Sequence, residues 1–112
     1  MNTFDNIIYT VGDLTAAKTI HATLLGTEPH TDSPYYVGFN VGGFEVGLAP
    51  RSEDRPKPPV AHVRVADIEA ALEAVQRAGA TLVDEPRDVG GGTRVATVAD
   101  PDGTLLGLIE RV

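Results

Sequence analysis

The same order of sequence features occurs twice in this chain, once on either side of a proline-rich stretch, and this duplication limits the folds open to it. Each half has a six-residue β-type run, then an aspartate suited to cap a helix, then a helical stretch that ends at a glycine. In the first half the β-type run is residues 6–11, the capping aspartate is Asp13 and the glycine is Gly26. In the second half they are residues 60–65, Asp67 and Gly79.

A β-hairpin is predicted at the end of each half, because Gly-Gly and Asp-Gly between apolar runs are strong turn signals. The two predicted turns are Gly42-Gly43 and residues 100–103. With a further strand between helix and hairpin, each half is interpreted as a βαβββ module. We therefore predict one domain over residues 1–112. It comprises module 1 (3–49), a proline-rich linker (50–59) and module 2 (60–111).

Composition excludes several classes of protein. The chain has no cysteine, so disulfides and thiolate metal sites are excluded. Its formal charge of −7 makes nucleic acid and anionic membranes poor partners. No basic-then-apolar leader and no apolar run of about 20 residues is present, so a cytoplasmic protein is expected.

Several motifs, in this order and duplicated, resemble the vicinal oxygen chelate superfamily. This group includes glyoxalase I, extradiol dioxygenases, and fosfomycin- and bleomycin-resistance proteins. The motifs are Val11-Gly-Asp13-Leu14, Val65-Ala-Asp67-Ile68, Arg77-Ala-Gly79-Ala80 and Asp100-Pro-Asp-Gly103 with its following strand. The resemblance implies an α+β fold of two tandem βαβββ modules, whose curled mixed sheets surround a shared pocket. It also implies a homodimer.

Metal-dependent members of such a family hold a divalent ion with His and Glu side chains at four positions. Carried onto this sequence, the four positions are Asn6, Gly47, Val60 and Gly107. Valine and glycine offer no side-chain donor, and a lone amide is a poor ligand. We therefore predict no metal and no cofactor. Gly107, where the family would place a glutamate, is interpreted either as a strand glycine that relieves curvature or as room for a ligand.

Alternation along the strands predicts which side chains face the pocket. The predicted ligand-binding residues are Asn6, Ile8, Thr10, Glu45, Gly47, Val60, His62, Arg64 and Gly107. His62 is the candidate catalytic residue; it could accept a proton, orient a ligand or pair structurally with Glu45. His21 and His30 are interpreted as a core-edge and a loop histidine.

Four functions remain open from the sequence. The leading one is a metal-free protein that binds a small molecule, sequestering a small aromatic or cationic compound. The second is a metal-independent isomerase or lyase with His62 as acid–base. The third is a divalent-metal enzyme of the glyoxalase or dioxygenase type, and the fourth is an interaction module with a vestigial pocket.

Overall fold

The computed structural model describes residues 1–52 and 58–112; residues 53–57 of the predicted linker lie outside the described part. Within the described part, two helices and eight strands follow one another in the predicted order. They are β1 (Thr3–Val11), α1 (Leu14–Leu25), β2 (Thr31–Asp32), β3 (Val37–Val41), β4 (Phe44–Pro50), β5 (Val60–Arg64), α2 (Ile68–Arg77), β6 (Thr81–Asp88), β7 (Arg94–Ala99) and β8 (Leu105–Glu110). The α+β class and the two βαβββ modules are therefore confirmed.

The contacts divide the chain into two compact units. Unit 1 contains Met1–Asp5 and Val60–Val112, and unit 2 contains Asn6–Pro59. The first residues of β1 thus pack with the second half of the chain, whereas the sequence placed them in module 1. The prediction of a single domain over the whole chain stays a prediction.

The sheet of unit 2 has the strand order β2-β3-β4-β1, in which β1 is parallel to β4 and the other pairs are antiparallel. One face packs on α1 through Val37, Phe39 and Leu48, all of which are buried. Alternation along β3 and β4 sends the intervening residues, Gly38 and Gly47, to the opposite face. That opposite face carries the predicted site residues of this unit.

Unit 1 repeats this arrangement with the strand order β5-β8-β7-β6, in which β5 is parallel to β8. Its core lies between the sheet and α2 and contains Ile68, Leu72, Val98 and Leu108. Burying an aliphatic side chain of this size contributes about 1.5–3 kcal/mol to folding.

Both helices begin at the predicted aspartates. The Asp13 carboxylate accepts from the Ala16 amide at 2.9 Å, and the Asp67 carboxylate accepts from the Ala70 amide at 3.1 Å. Such caps satisfy amides that have no partner within the helix. Helix α1 ends at Gly26 in the left-handed conformation, with φ of 70°.

Candidate functional site

Two glycines make room for neighbouring side chains on the site face of unit 2. Gly38 of β3 lies directly opposite Gly47 of β4, and Gly47 in turn lies opposite Ile8 of β1. A Cβ atom on Gly47 would lie 2.5 Å from the Tyr36 hydroxyl and 2.6 Å from Cδ1 of Ile8. Because glycine has no Cβ atom, the side chains of Tyr36 and Ile8 are able to occupy the space above Gly47.

A hydrogen-bonded group of three side chains lies over these glycines, and we call Tyr36, Glu45 and His30 the Glu45 cluster. The Tyr36 hydroxyl donates to Oε2 of Glu45 at 2.5 Å. Nε2 of His30 lies 2.6 Å from Oε1 of Glu45, and its Nδ1 lies 2.8 Å from the Thr31 hydroxyl. The Glu45 side chain is 23% exposed, so water and small solutes reach it.

The cluster combines an anionic acceptor with an aromatic ring. An ionised carboxylate has about four lone-pair sites, and Tyr36 and His30 each take one of them. Glu45 is therefore able to accept further hydrogen bonds from a bound molecule. Because the contacts with Tyr36 and His30 fix the carboxylate, it is oriented before any ligand arrives.

Two further predicted site residues of β1 have buried polar groups. Asn6 lies opposite Glu45 in the register of β1 and β4, and it is only 5% exposed. The Thr10 hydroxyl is buried and has no hydrogen-bond partner within residues 1–52 and 58–112. An unsatisfied buried hydroxyl costs about 1–3 kcal/mol, which marks Thr10 as an unusual position in this strand.

In unit 1, the imidazole of His62 lies over Gly107. The two residues are direct partners in the parallel register of β5 and β8. A Cβ atom on Gly107 would lie 2.4 Å from Cδ2 of His62 and 2.8 Å from both its Cγ and Nε2. The glycine therefore accommodates the histidine ring, a reason that differs from both interpretations made from the sequence.

Burial lowers the pKa of His62 below its ordinary value of 6.5; the charge of Asp5 opposes this shift and that of Arg87 adds to it. The ring is therefore neutral at neutral pH and able to accept a proton. His21, by contrast, places Nδ1 2.8 Å from the carbonyl oxygen of Ala17 and packs beside Tyr9 and Phe39. The core-edge interpretation of His21 matches this environment.

Arg64 donates to a buried carboxylate. Its Nη2 lies 2.6 Å from Oδ2 of Asp5, whose side chain is 4% exposed. Arg111 binds the same carboxylate through Nε and Nη2, at 3.0 and 2.7 Å. Arg64 is thus held in place by Asp5, while 55% of its side chain remains exposed.

The residues at the four positions implied by the resemblance do not fit a divalent metal. Gly47 and Gly107 have no side chain, Val60 has no donor atom, and Asn6 offers a neutral amide. In the described part of the chain, one set of three acidic side chains lies close enough together to hold an ion: Asp67, Glu69 and Glu110.

These three carboxylates already have partners. Asp67 caps α2, and Oε1 of Glu110 accepts from the Ile68 amide at 3.0 Å. Arg94 donates to both oxygens of Glu69 and to Glu110, and its hydrogen bonds lower the pKa of Glu69. The acidic group is therefore explained by helix capping and ion pairing.

Sequence reasoning missed two members of the Glu45 cluster. Tyr36 was not selected, and His30 was assigned to a loop without a role. Tyr36 directly precedes β3, so alternation extended by one residue places it on the same face as Gly38. Glycines at both 38 and 47 on that face require a large neighbour to fill the space. This spacing could have identified Tyr36, whereas His30 reaches the cluster from a loop.

Each of the two units is a βαβββ module whose sheet carries a helix on one face and polar side chains over glycines on the other. Two such modules in one chain define a glyoxalase-type fold. The model of the Glyoxalase/Bleomycin resistance protein/Dioxygenase superfamily matches residues 3–108. The chain belongs to this superfamily, which confirms the resemblance inferred from the motifs. A comparison with curated proteins finds no match.

Solved structures share the fold at low sequence identity. Methylmalonyl-CoA epimerase from Mycobacterium tuberculosis is 18% identical, with a TM-score of 0.74 over 98% of this chain and 88% of its own. A superfamily member from Vibrio splendidus is 18% identical, with a TM-score of 0.73 over 99% and 100%. A hypothetical protein from Bacillus halodurans is 17% identical, with a TM-score of 0.79 over 99% and 95%. Within the described residues, neither helix has the length and apolar character that crossing a bilayer requires.

Proposed function

We propose that this protein binds a small organic molecule without a metal ion, at the Glu45 cluster of unit 2. One observation carries this proposal: on β4 and β8, the implied ligand positions are glycines, and the side chains of Tyr36 and His62 lie over them. A protein that needed a metal there would keep donor side chains at Gly47 and Gly107. The sheet face instead offers a hydrogen-bonding carboxylate and an aromatic ring.

The chemistry of the cluster favours a cationic or aromatic ligand. Glu45 supplies a partly buried negative charge, and the chain as a whole carries a formal charge of −7. The Tyr36 ring and the Ile8 side chain lie beside it over Gly47 and supply an apolar surface. A small amine attached to an aromatic ring would satisfy both parts of this surface.

Thermal unfolding in the presence of ligands tests the proposal. Protein is prepared with and without EDTA treatment, its metal content is measured, and its Tm is followed against aromatic amines and their uncharged aromatic analogues. A ligand that binds the folded state raises Tm in proportion to its concentration and affinity. We expect aromatic amines to raise Tm equally in both preparations, and the uncharged analogues to do so less.

A pair of charge-matched variants locates the site. Glu45→Gln removes the carboxylate from the cluster, whereas Glu85→Gln removes an exposed carboxylate on β6. The amine should stabilise the wild type and the Glu85→Gln variant, but not the Glu45→Gln variant. Stabilisation that depends on an added divalent ion, or that persists in Glu45→Gln, would contradict the proposal.

A second function, metal-independent isomerisation or elimination with His62 as acid–base, is favoured by the lowered pKa of His62. A neutral, half-buried imidazole is able to take a proton from a bound substrate and return it. NMR of each ligand that raises Tm, incubated in deuterated water, would reveal proton exchange or product. This activity should disappear in His62→Gln, and a ligand that stays unchanged indicates binding alone.

We also propose that the protein forms a homodimer in the cytoplasm. The support is that β2 and β6 stand at the ends of the strand orders in their units, so each has one side that no strand of residues 1–52 or 58–112 pairs with. Sedimentation equilibrium measures the mass directly. A monomer mass at all concentrations would contradict the dimer.

A further inference from the structure

Unit 2 contains a groove of about 510 Å³ on which the proposed function does not depend. It lies on the face of the sheet that packs on α1, opposite the face that carries the Glu45 cluster. Leu14, Thr15 and Lys18 of α1 line one part of it, and residues 32–34 with Val37 of β3 line the rest. Pockets that hold small ligands have volumes of about 300–1,000 Å³, so this groove has room for a small molecule.

The groove contains one side chain of each charge, and we call it the Lys18–Asp32 groove. Nζ of Lys18 donates to Oδ2 of Asp32 at 3.1 Å, and the two side chains are 33% and 50% exposed. This contact uses one of the three N–H donors of the ammonium group and one of the two carboxylate oxygens. Within residues 1–52 and 58–112, neither side chain has another hydrogen bond or ion pair. Each is therefore able to bind a further group of opposite charge.

Apolar side chains line the same groove beside this ion pair. Val37 is almost fully buried in the core beneath α1, and Leu14 packs against that core. Pro34 lines the groove from the loop and is exposed. A molecule held by the ion pair therefore reaches an apolar surface, and burying an apolar group there favours binding.

Ser33 fixes the loop that carries one side of the groove. Its Oγ accepts from the amides of Tyr35 and Tyr36 at 3.2 and 3.1 Å and donates to the carbonyl oxygen of Tyr36 at 3.2 Å. Asp32, next to it, is paired with Val37 in the register of β2 and β3. Because the backbone at Asp32 is ordered before a ligand arrives, binding costs less conformational entropy.

We propose that the Lys18–Asp32 groove binds a zwitterionic small molecule of the α-amino acid type with an apolar side chain. The carboxylate of this molecule binds Lys18, its ammonium group binds Asp32, and its side chain packs on Leu14 and Val37. The four charges then alternate around a ring, so that each has opposite charges as its nearest neighbours. A molecule with a single charge is attracted by one of the two side chains and repelled by the other.

NMR titration of the whole protein with L-leucine tests this inference. The backbone amide resonances of residues 14–18 and 32–33 are followed at constant pH and ionic strength. Three analogues each lack one part of leucine: leucinamide lacks the carboxylate, N-acetylleucine lacks the ammonium group, and glycine lacks the apolar side chain. We expect leucine to give saturable shifts in both segments. Each analogue should bind about three- to tenfold more weakly, because it loses one partly exposed contact.

Charge-matched variants locate the binding. Lys18→Gln and Asp32→Asn each remove one charge from the groove and should weaken leucine binding by about three- to tenfold. Arg77→Gln and Glu73→Gln remove the same charges from an exposed ion pair of α2 and should bind leucine like the wild type. Such surface substitutions change stability little, so all four variants should remain folded. Glu45→Gln should also bind leucine like the wild type, which keeps this test independent of the proposed function.

Three outcomes would overturn the inference. The first is that leucine gives no saturable shift at residues 14–18 and 32–33. The second is that any of the three analogues binds as tightly as leucine. The third is that Lys18→Gln and Arg77→Gln bind leucine with the same affinity. Any of these results would mean that Lys18 and Asp32 form only a surface ion pair.

Discussion

Replacing Gly107 with alanine tests whether His62 determines the residue opposite it on β8. The added Cβ would lie 2.4 Å from Cδ2 of His62, about 1 Å inside ordinary van der Waals contact, which begins near 3.4 Å. It would also lie 2.8 Å from Cγ, the ring atom bonded to Cβ, so the clash cannot be relieved by moving only the far edge of the ring. Gly107→Ala therefore forces the half-buried imidazole out of its position.

The expected loss follows from two opposing effects. Overpacking of this kind costs about 1–3 kcal/mol, whereas replacing a glycine within a strand by alanine returns about 0.5–1 kcal/mol. We expect Gly107→Ala to lower the free energy of unfolding by about 1–2 kcal/mol. Denaturation in urea measures this value, provided that the slope of the transition is unchanged.

A double-mutant cycle isolates the contact between Gly107 and His62. In a His62→Ala background the ring is gone, so the change to alanine at Gly107 should be neutral or stabilising by up to about 1 kcal/mol. Gly12→Ala is the matched control, because its Cβ would meet only the mobile end of Arg51 and should cost little. Equal losses at Gly107 in both backgrounds would refute the reasoning.

Three further predictions concern stability. Because the pKa of His62 is lowered in the folded state, the unfolded chain takes up a proton at this residue first as the pH falls below about 6.5. The free energy of unfolding of the wild type should therefore decrease with falling pH relative to that of His62→Gln. Parallel pH profiles of the two proteins in urea denaturation would contradict this. Thr10→Val removes a buried hydroxyl without a partner in the described residues and should raise the free energy of unfolding by about 1 kcal/mol; an unchanged or lower value would show that the hydroxyl is satisfied. Asp67→Ala removes the cap of α2 and should lower the free energy of unfolding by about 1 kcal/mol, measured by thermal or urea unfolding. An unchanged free energy of unfolding would assign the capping of α2 to Glu110, which accepts from the Ile68 amide.

The fold could be predicted from the sequence because its signals are local. The caps at Asp13 and Asp67 and the left-handed Gly26 each depend on a few neighbouring residues, and all three lie where the sequence places them. The division of β1 could not be predicted in this way. Thr3–Asp5 pack with unit 1, and this depends on contacts with residues about sixty or more positions later in the chain.

The candidate site was predictable only in part. Alternation placed both His62 and Gly107 among the residues that face the predicted pocket, but it did not show that they are direct partners on neighbouring strands. It could not show that His30 bends in from a loop to reach Glu45. The pairing of Asp5 with Arg111 was also missed, because 106 residues separate them and no local pattern connects them.

The same separation has a consequence for how the chain is made. Asp5 is synthesised 106 residues before Arg111, so at about 5–20 residues per second it waits roughly 5–20 s for that partner. Unit 2 is continuous from Asn6 to Pro59 and has all of its residues much sooner. During translation, therefore, all of unit 2 has been synthesised while Met1–Asp5 still lack most of the segment against which they pack.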